Sequence, residues 1–522
     1  MTRTCKITAT VSGIALLLAA LSGCASQYPF ETPETPIEQT YDYEYLPHVK
    51  KETFDRKTTV EGLTFFYSSS LGGGKVDGAI QSVLEISEFC DVTQPVYLSK
   101  TVVTHASETE FLVNVQDDAA LIGATYLAFA GGEALPFGCY AGTSAHLLNE
   151  KPSYTGTSLT KAIAKNPNVR ELQYPFFTRN YGKSAERKTA WSLAQTTAKS
   201  YLSSHSLEEL LQSEPSEWGE IFAEYGAEIP TEYTFTVGDA PYPIQVRSQN
   251  FRYHFAFDFN DRYFDNIALD YTLLREFVLD NEAFLAETAD LLAGNSFPKA
   301  IDVFFGDYLL TDAFDISLEE ISGATIIEQN AIVCDSLEGF SHEIIHAFLY
   351  YNSWGKHIFE EALCNYLSAI SKHAPWFTRN DFLRYTGKSV YDKLLKRASE
   401  SKQTLQAYKY YRKLYDFHFG SATKDTFDAL KFSVCSVALR DREGMDPSDT
   451  WYYSAFRTSF VYYIHQTYGT EGLKNFIKNG KSAQYDGKTY QDIVLEWNAY
   501  LDSLLEENIL KEWNAFQKKT NS

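Results

Sequence analysis

The chain is poor in cysteine and in positive charge, and past its first two dozen residues it has no long apolar run. Seven cysteines in 522 residues, without paired or zinc-finger spacing, exclude a disulfide scaffold and a zinc-finger array. Cys90, Cys139, Cys334, Cys364 and Cys435 read instead as small core residues, with room for a bridge or two. Lys and Arg number 46 against 68 Asp and Glu, a formal net charge of −22. That balance argues against nucleic acid or another polyanion as partner. No stretch after residue 21 approaches the roughly 20 apolar residues that span a bilayer, so the body belongs outside the membrane.

The one apolar run, Ile7 to Leu21, follows Arg3 and Lys6 and ends in Leu21-Ser22-Gly23-Cys24. This order resembles the bacterial lipobox, whose cysteine is acylated and becomes the first residue of the mature chain. The resemblance implies a signal peptide over 1–23, lipidation at Cys24, and a place in the bacterial cell envelope, lipid-anchored to the membrane and facing outside the cytoplasm. An ordinary secretory signal or a short anchor helix is the alternative. Removing the leader takes away two basic and no acidic residues, so the formal charge moves from −22 to −24.

Residues 24–58, with Pro29, Pro33 and Pro36 and little apolar patterning, read as a tether. The remainder is long enough for two or more domains. Strands at 63–67 and 96–98 and helices at 78–89, 187–202 and 207–211 make an α+β N-terminal domain over 59–215, without a catalytic motif. A second domain, 235–520, opens with a strand at 251–255, a helix at 266–292 and a strand at 301–305. The repeated strand–helix–strand order suggests that the first domain is a decayed copy of the second.

His342-Glu343-Ile344-Ile345-His346 carries the chemistry. Residues four apart share one face of a helix, so both imidazoles can reach one zinc ion while Glu343 sits beside its open position. With 11 histidines in the chain, chance yields such a run roughly two times in a hundred. A pair of satisfied core histidines is the bland reading. Phe340, Ile344, Ile345, Ala347, Phe348 and Leu349 surround the motif as in an interior helix, capped by Ser341 or Asp335. A catalytic zinc takes three protein ligands and leaves a fourth position open. The next helix, 358–370, offers Glu360 and Glu361 at the border of its apolar face, and periodicity does not choose between them.

His-Glu-x-x-His followed by Glu361-Ala362-Leu363-Cys364-Asn365-Tyr366 resembles the gluzincin, or thermolysin-like, metallopeptidases. The resemblance implies that Glu361 is the third zinc ligand, beside His342 and His346. It implies a thermolysin-like catalytic domain with a mixed sheet and a mainly helical C-terminal part. Asn365, one turn past Glu361, is placed to hold an imidazole by a hydrogen bond, at a position where the family commonly has an acid. The metzincin pattern fails, since it needs Gly and His where this chain has Leu349 and Asn352. His357 reads as a surface residue at the turn between the helices.

Residues 323–334 read as a strand pair or one long strand. In proteins resembling gluzincins such an edge pairs with substrate backbone, so this segment is the candidate peptide shelf, a buried sheet strand being the alternative. Residues 452–469 resemble the family's C-terminal helix, with Tyr453 and Tyr452 as candidate oxyanion donors and His465 behind them. The implied activity is zinc-dependent hydrolysis of a peptide or protein substrate, with Glu343 as general base. The alternatives are a gluzincin-like lipoprotein that binds peptide or envelope ligands with little or no catalysis, and a purely structural protein with a chance motif.

Overall fold

The computed structural model describes residues 27–33, 36–41, 50–100, 103–179, 181–238, 242, 244–255, 270–305, 323–354, 359–371, 373–374, 450–497 and 499. The expected leader, Cys24, His357 and Cys435 lie outside these residues. The fold is of the α+β class, in two compact units: Met1–Arg275 with Phe304–Ile316, and Glu276–Val303 with Ser317–Ser522. Among the described residues no helix is long and apolar enough to cross a membrane.

The first unit opens with an antiparallel hairpin, β1 (Ile37–Tyr41) and β2 (Lys50–Phe54). A five-stranded sheet follows: β3 (Arg56–Val60), β4 (Leu63–Tyr67), β5 (Val96–Ser99), β6 (His105–Ala106) and β7 (Phe111–Asn114), in the order β3-β4-β5-β7-β6. Strand β4 runs parallel to β5, a step that needs a crossover. Helix α1 (Gly73–Ser87) supplies it, burying Val76, Ile80, Val83 and Leu84 at three- and four-residue spacing.

Residues 24–58 are therefore not simply a tether. Both hairpin strands and the start of β3 fall within them. Phe54 and Thr58 are buried, Thr58 Oγ1 donates to the Pro29 carbonyl at 2.5 Å, and the Arg56 guanidinium lies 3.8 Å from the centre of the Phe30 ring. Strands reading Lys-Lys-Glu-Thr-Phe and Arg-Lys-Thr-Thr-Val put too few apolar groups on either face for a period of two to be visible.

Helices α2 (Ala119–Ala130) and α3 (Phe137–Leu147) come next, then α4 (Gly156–Lys165), α5 (Ser184–Leu202), α6 (Leu207–Gln212) and α7 (Gly219–Tyr225). Asp118 caps α2 by accepting from the Leu121 amide. Small residues let α2, α3 and α5 approach closely. A Cβ on Gly142 would lie 2.1 Å from the Ala194 carbonyl oxygen, and one on Gly123 2.2 Å from Ser144 Oγ. Glu171, buried in the connection between α4 and α5, accepts from Tyr233 at 2.6 Å and from Tyr271, and pairs with Arg275 at 3.2 Å. The buried charge is thus fully partnered.

The meander β8 (Tyr233–Val237), β9 (Ile244–Ser248) and β10 (Phe251–Phe255) is antiparallel and groups with this unit, although a boundary at 235 assigns it to the second domain.

Helix α8 (Tyr271–Leu292) contains the start of the second unit, to which β11 (Ile301–Phe305) belongs as far as Val303, and β12 (Gly323–Ile326) and β13 (Ala331–Cys334) lie within it. Its helices are α9 (Leu337–Tyr351), α10 (Glu360–Ile370) and α11 (Thr450–Asn479), the last broken at Gly469 with φ 67°. Strands run β12-β13-β11, with β12 on the outer edge. Residues 323–334 are therefore a strand pair, in register from Gly323 opposite Cys334 to Ile326 opposite Ala331. Asn330 makes the turn at φ 53°, its Nδ2 donating to the Ala300 carbonyl and its Oδ1 accepting from Tyr351. Strand β13 is buried throughout, while β12 is half-exposed. The rings of Phe277 and Phe340, 5.7 Å apart, pack α8 on α9.

Candidate metal centre

Helix α9 follows a buried strand and is itself a core helix, with Phe340, Ile344, Ile345, Ala347 and Phe348 at 0 % exposure. Its N-cap is Ser336, not Ser341 or Asp335, and no side-chain hydrogen bond closes that end. At its other end Asn352 Nδ2 donates to the Phe348 carbonyl, and its Oδ1 accepts from the Asn295 amide. The helix so fixed turns His342 and His346 toward the first turn of α10, where Glu360 and Glu361 stand. Carboxylates there sit at the positive end of the helix dipole, which favours their ionised form.

Four acceptor atoms converge. His342 Nε2 lies 3.1 Å from His346 Nε2. Glu361 Oε2 is 3.2 Å from the first and its Oε1 3.3 Å from the second. Donors held about 2.0–2.1 Å from a tetrahedral zinc lie about 3.3 Å apart, so the three residues have the spacing of such a coordination face.

The other ring nitrogens decide what these atoms can offer. His346 Nδ1 is 2.8 Å from Glu360 Oε1 and His342 Nδ1 is 3.1 Å from Asn365 Oδ1. A carboxylate or an amide oxygen only accepts, so each Nδ1 carries the hydrogen and each Nε2 presents a lone pair. Two lone pairs and two carboxylate oxygens facing one another call for a cation. Without one, a proton takes its place. Burial pulls the His346 imidazole down, but Cys364, Glu360 and Glu361 outweigh it and hold the ring well above its ordinary range. Hydrogen bonds with His342 and His346 hold the Glu361 carboxyl well below its own.

A second third donor is at hand. Ligand atoms of His342, His346 and Cys364 lie within 4.8 Å of one another. Burial pushes the Cys364 thiol up to about 12, so it stands as a neutral thiol behind the imidazoles. Glu361 is the better third donor, because its oxygens touch both Nε2 atoms and its side chain, 59 % exposed, faces an approach from solvent.

Glu343 is buried at 7 % exposure and lies under β12, where Thr325 Oγ1 donates to its Oε2 at 2.8 Å. Tyr452 and Tyr453 fall in helix α11, but their side chains are outside the described residues. His465 is not free to act as a donor at the site: its ring is held between the Tyr366 hydroxyl, 2.5 Å away, and Thr470 Oγ1 at 3.4 Å. The four described cysteines, Cys90, Cys139, Cys334 and Cys364, are free and buried. Sequence reasoning left Glu360 without a task and overlooked Thr325. The signal for Glu360 was present in the adjacent pair of acids, since two carboxylates opposite two imidazoles can serve the inner and outer nitrogens separately.

No family model, no curated protein and no solved structure matches the chain.

Proposed function

We propose that the protein is a gluzincin-like zinc metallopeptidase, anchored in a bacterial cell envelope through lipid on Cys24, and that it hydrolyses peptide bonds of a peptide or protein substrate. The observation that carries this reading is the convergence of both Nε2 atoms and the Glu361 carboxylate within 3.1–3.3 Å, with each Nδ1 engaged by its own acceptor. His342, His346 and Glu361 would hold the ion. Bound there, zinc would supply a positive charge that acidifies a water and polarises a carbonyl. Glu343 receives the proton of the attacking water on a carboxylate oxygen and hands it to the departing amine nitrogen. Glu360 and Asn365 hold the two imidazoles in the tautomer that leaves Nε2 unprotonated. The half-exposed edge of β12 offers main-chain groups to an extended peptide, and Tyr453 or Tyr452 is the proposed oxyanion donor.

Glu343→Gln should leave one zinc per chain and reduce turnover by about 10²–10⁴-fold, the usual contribution of a general base. Metal content by elemental analysis and kcat on a peptide mixture check this together. Full activity in that variant would end the assignment of the base.

The Cys364 thiol gives a second reading. A structural zinc site is closed by four protein ligands, whereas a catalytic one keeps a position open. If Cys364 joins His342, His346 and Glu361, the protein is a metal-stabilised binding lipoprotein. Cys364→Ala separates the two: unchanged zinc content and activity support the peptidase, and loss of the metal supports the closed site.

A further inference from the structure

We propose that Thr325 is a positioning residue for Glu343, tying the base to the edge strand on which substrate would lie; this rests on the peptidase reading above. Thr325 Oγ1 is 2.8 Å from Glu343 Oε2 and 3.0 Å from the Glu343 main-chain oxygen. Two residues away on the same face of β12, Gly323 lies over the rest of the side chain. A Cβ there would come within 3.0 Å of Glu343 Cγ and 3.2 Å of Oε1. The strand thus meets the base at two points, giving it room at one and a hydrogen bond at the other.

A carboxylate at the end of a flexible side chain has a broad terminal torsion, and Thr325 removes that freedom. The hydroxyl also suits both states through which a general base passes, because it has one donor and two acceptor sites. While Glu343 is ionised, Oγ1–H donates to Oε2. Once that oxygen has taken up a proton, Oε2–H donates to Oγ1 and the hydroxyl turns its own hydrogen to the Glu343 carbonyl. Thr325 keeps its proton throughout and only hydrogen bonds change partner. The buried pair is satisfied before and after proton transfer, so neither state pays the penalty of an unmade bond. The branched Cβ restricts χ1 in a strand and keeps the hydroxyl aimed.

The test compares Thr325→Val, Thr325→Ser and Glu343→Gln in zinc-loaded protein. Valine keeps the shape and removes the hydroxyl. It should lower kcat by about tenfold to a hundredfold, as expected for losing a hydrogen bond to a charged group, with KM and zinc content unchanged. Serine should restore most of the rate. A second readout needs no turnover: in zinc-stripped protein, the melting shifts of Thr325→Val and Glu343→Ala should not add, since they remove two halves of one contact. Wild-type kcat in Thr325→Val beside an inactive Glu343→Gln, or additive melting shifts, would overturn the role of the threonine alone. Full activity in Glu343→Gln would overturn both it and the peptidase reading.

Discussion

The described elements of residues 56–147 and of residues 244–370 follow one another in a similar order. The first runs β3-β4-α1-β5-β6-β7-α2-α3 with sheet order β3-β4-β5-β7-β6; the second runs β9-β10-α8-β11-β12-β13-α9-α10, with β9 beside β10 in one unit and the order β12-β13-β11 in the other. Each begins with an antiparallel pair and ends its sheet on a strand antiparallel to its neighbour. The helix pairs then diverge. Counted from the caps Asp118 and Ser336, Ala124, Thr125 and Ala128 stand where the second stretch has His342, Glu343 and His346. Counted from Pro136 and Phe359, Phe137, Gly138 and Gly142 stand for Glu360, Glu361 and Asn365. The first pair is sealed by small residues, and even its one polar counterpart, Thr125, turns its hydroxyl back on the Leu121 carbonyl. The second sets two imidazoles against two carboxylates. A similar order of elements thus carries two differently furnished helix pairs.

The sharpest way to break the comparison is to spoil the seal of the first stretch. At Gly142 a Cβ meets a main-chain oxygen, which cannot swing aside as a side chain would. Gly142→Val should therefore cost stability at the upper end of the usual overpacking range of about 1–3 kcal/mol. Denaturant unfolding measures it, and zinc content should not change, because α9 and α10 are untouched. A neutral effect would mean that α3 and α5 can separate, and the contrast between helices sealed by small residues and a pair lined with ionisable groups would lose its force.

The next test concerns the second stretch. Glu360 gives the Nδ1 of His346 a carboxylate, whereas the Nδ1 of His342 has the neutral Asn365. Glu360→Gln keeps an acceptor for His346 Nδ1 and removes the charge. Removing such support typically weakens metal affinity by about 10–100-fold, and competition against a chelator of known affinity reads the change. Asn365→Ala should do less, since it removes a neutral partner. Equal losses would mean that charge is irrelevant and that only ring orientation counts.

The sequence showed these two stretches unequally. Strands β4, β10 and β11 stand where their alternating or continuous apolar runs place them, and α10 where its apolar face does. Helices α2 and α3 went unseen because they are buried from Ala120 to Ala128 and from Phe137 to Ala145 without a polar side, so no 3.6-residue rhythm marks them. Strand β12 lies in the segment whose sequence reads as a strand pair, but the Thr325 contact could not be read, since Thr325 and Glu343 are 18 residues apart and meet only in the folded chain. Local motifs declare their ligands, while the groups that aim those ligands come from elsewhere in the fold.

The smallest expected effect is a pH dependence that only the second stretch should have. In the metal-free site His346 is raised above its ordinary value. A raised histidine contributes stability that is fully present below its unfolded titration range and is lost only as pH climbs through the folded value, far above neutrality. Glu361 is depressed, so its contribution is present above the ordinary carboxylate range and is lost as pH falls through its folded value. Across neutral pH the zinc-stripped protein should therefore melt at a nearly constant temperature, and only strong acid should lower it through this site. Zinc, however, must displace the proton on His346. One displaced proton makes apparent affinity rise about tenfold for each pH unit, and the same proton appears in a weakly buffered titration. Affinity that ignores pH would mean that His346 is already neutral in the empty site; Glu360 would then do no more for its ring than Asn365 does for that of His342, and the two acids of α10 would have to be assigned afresh.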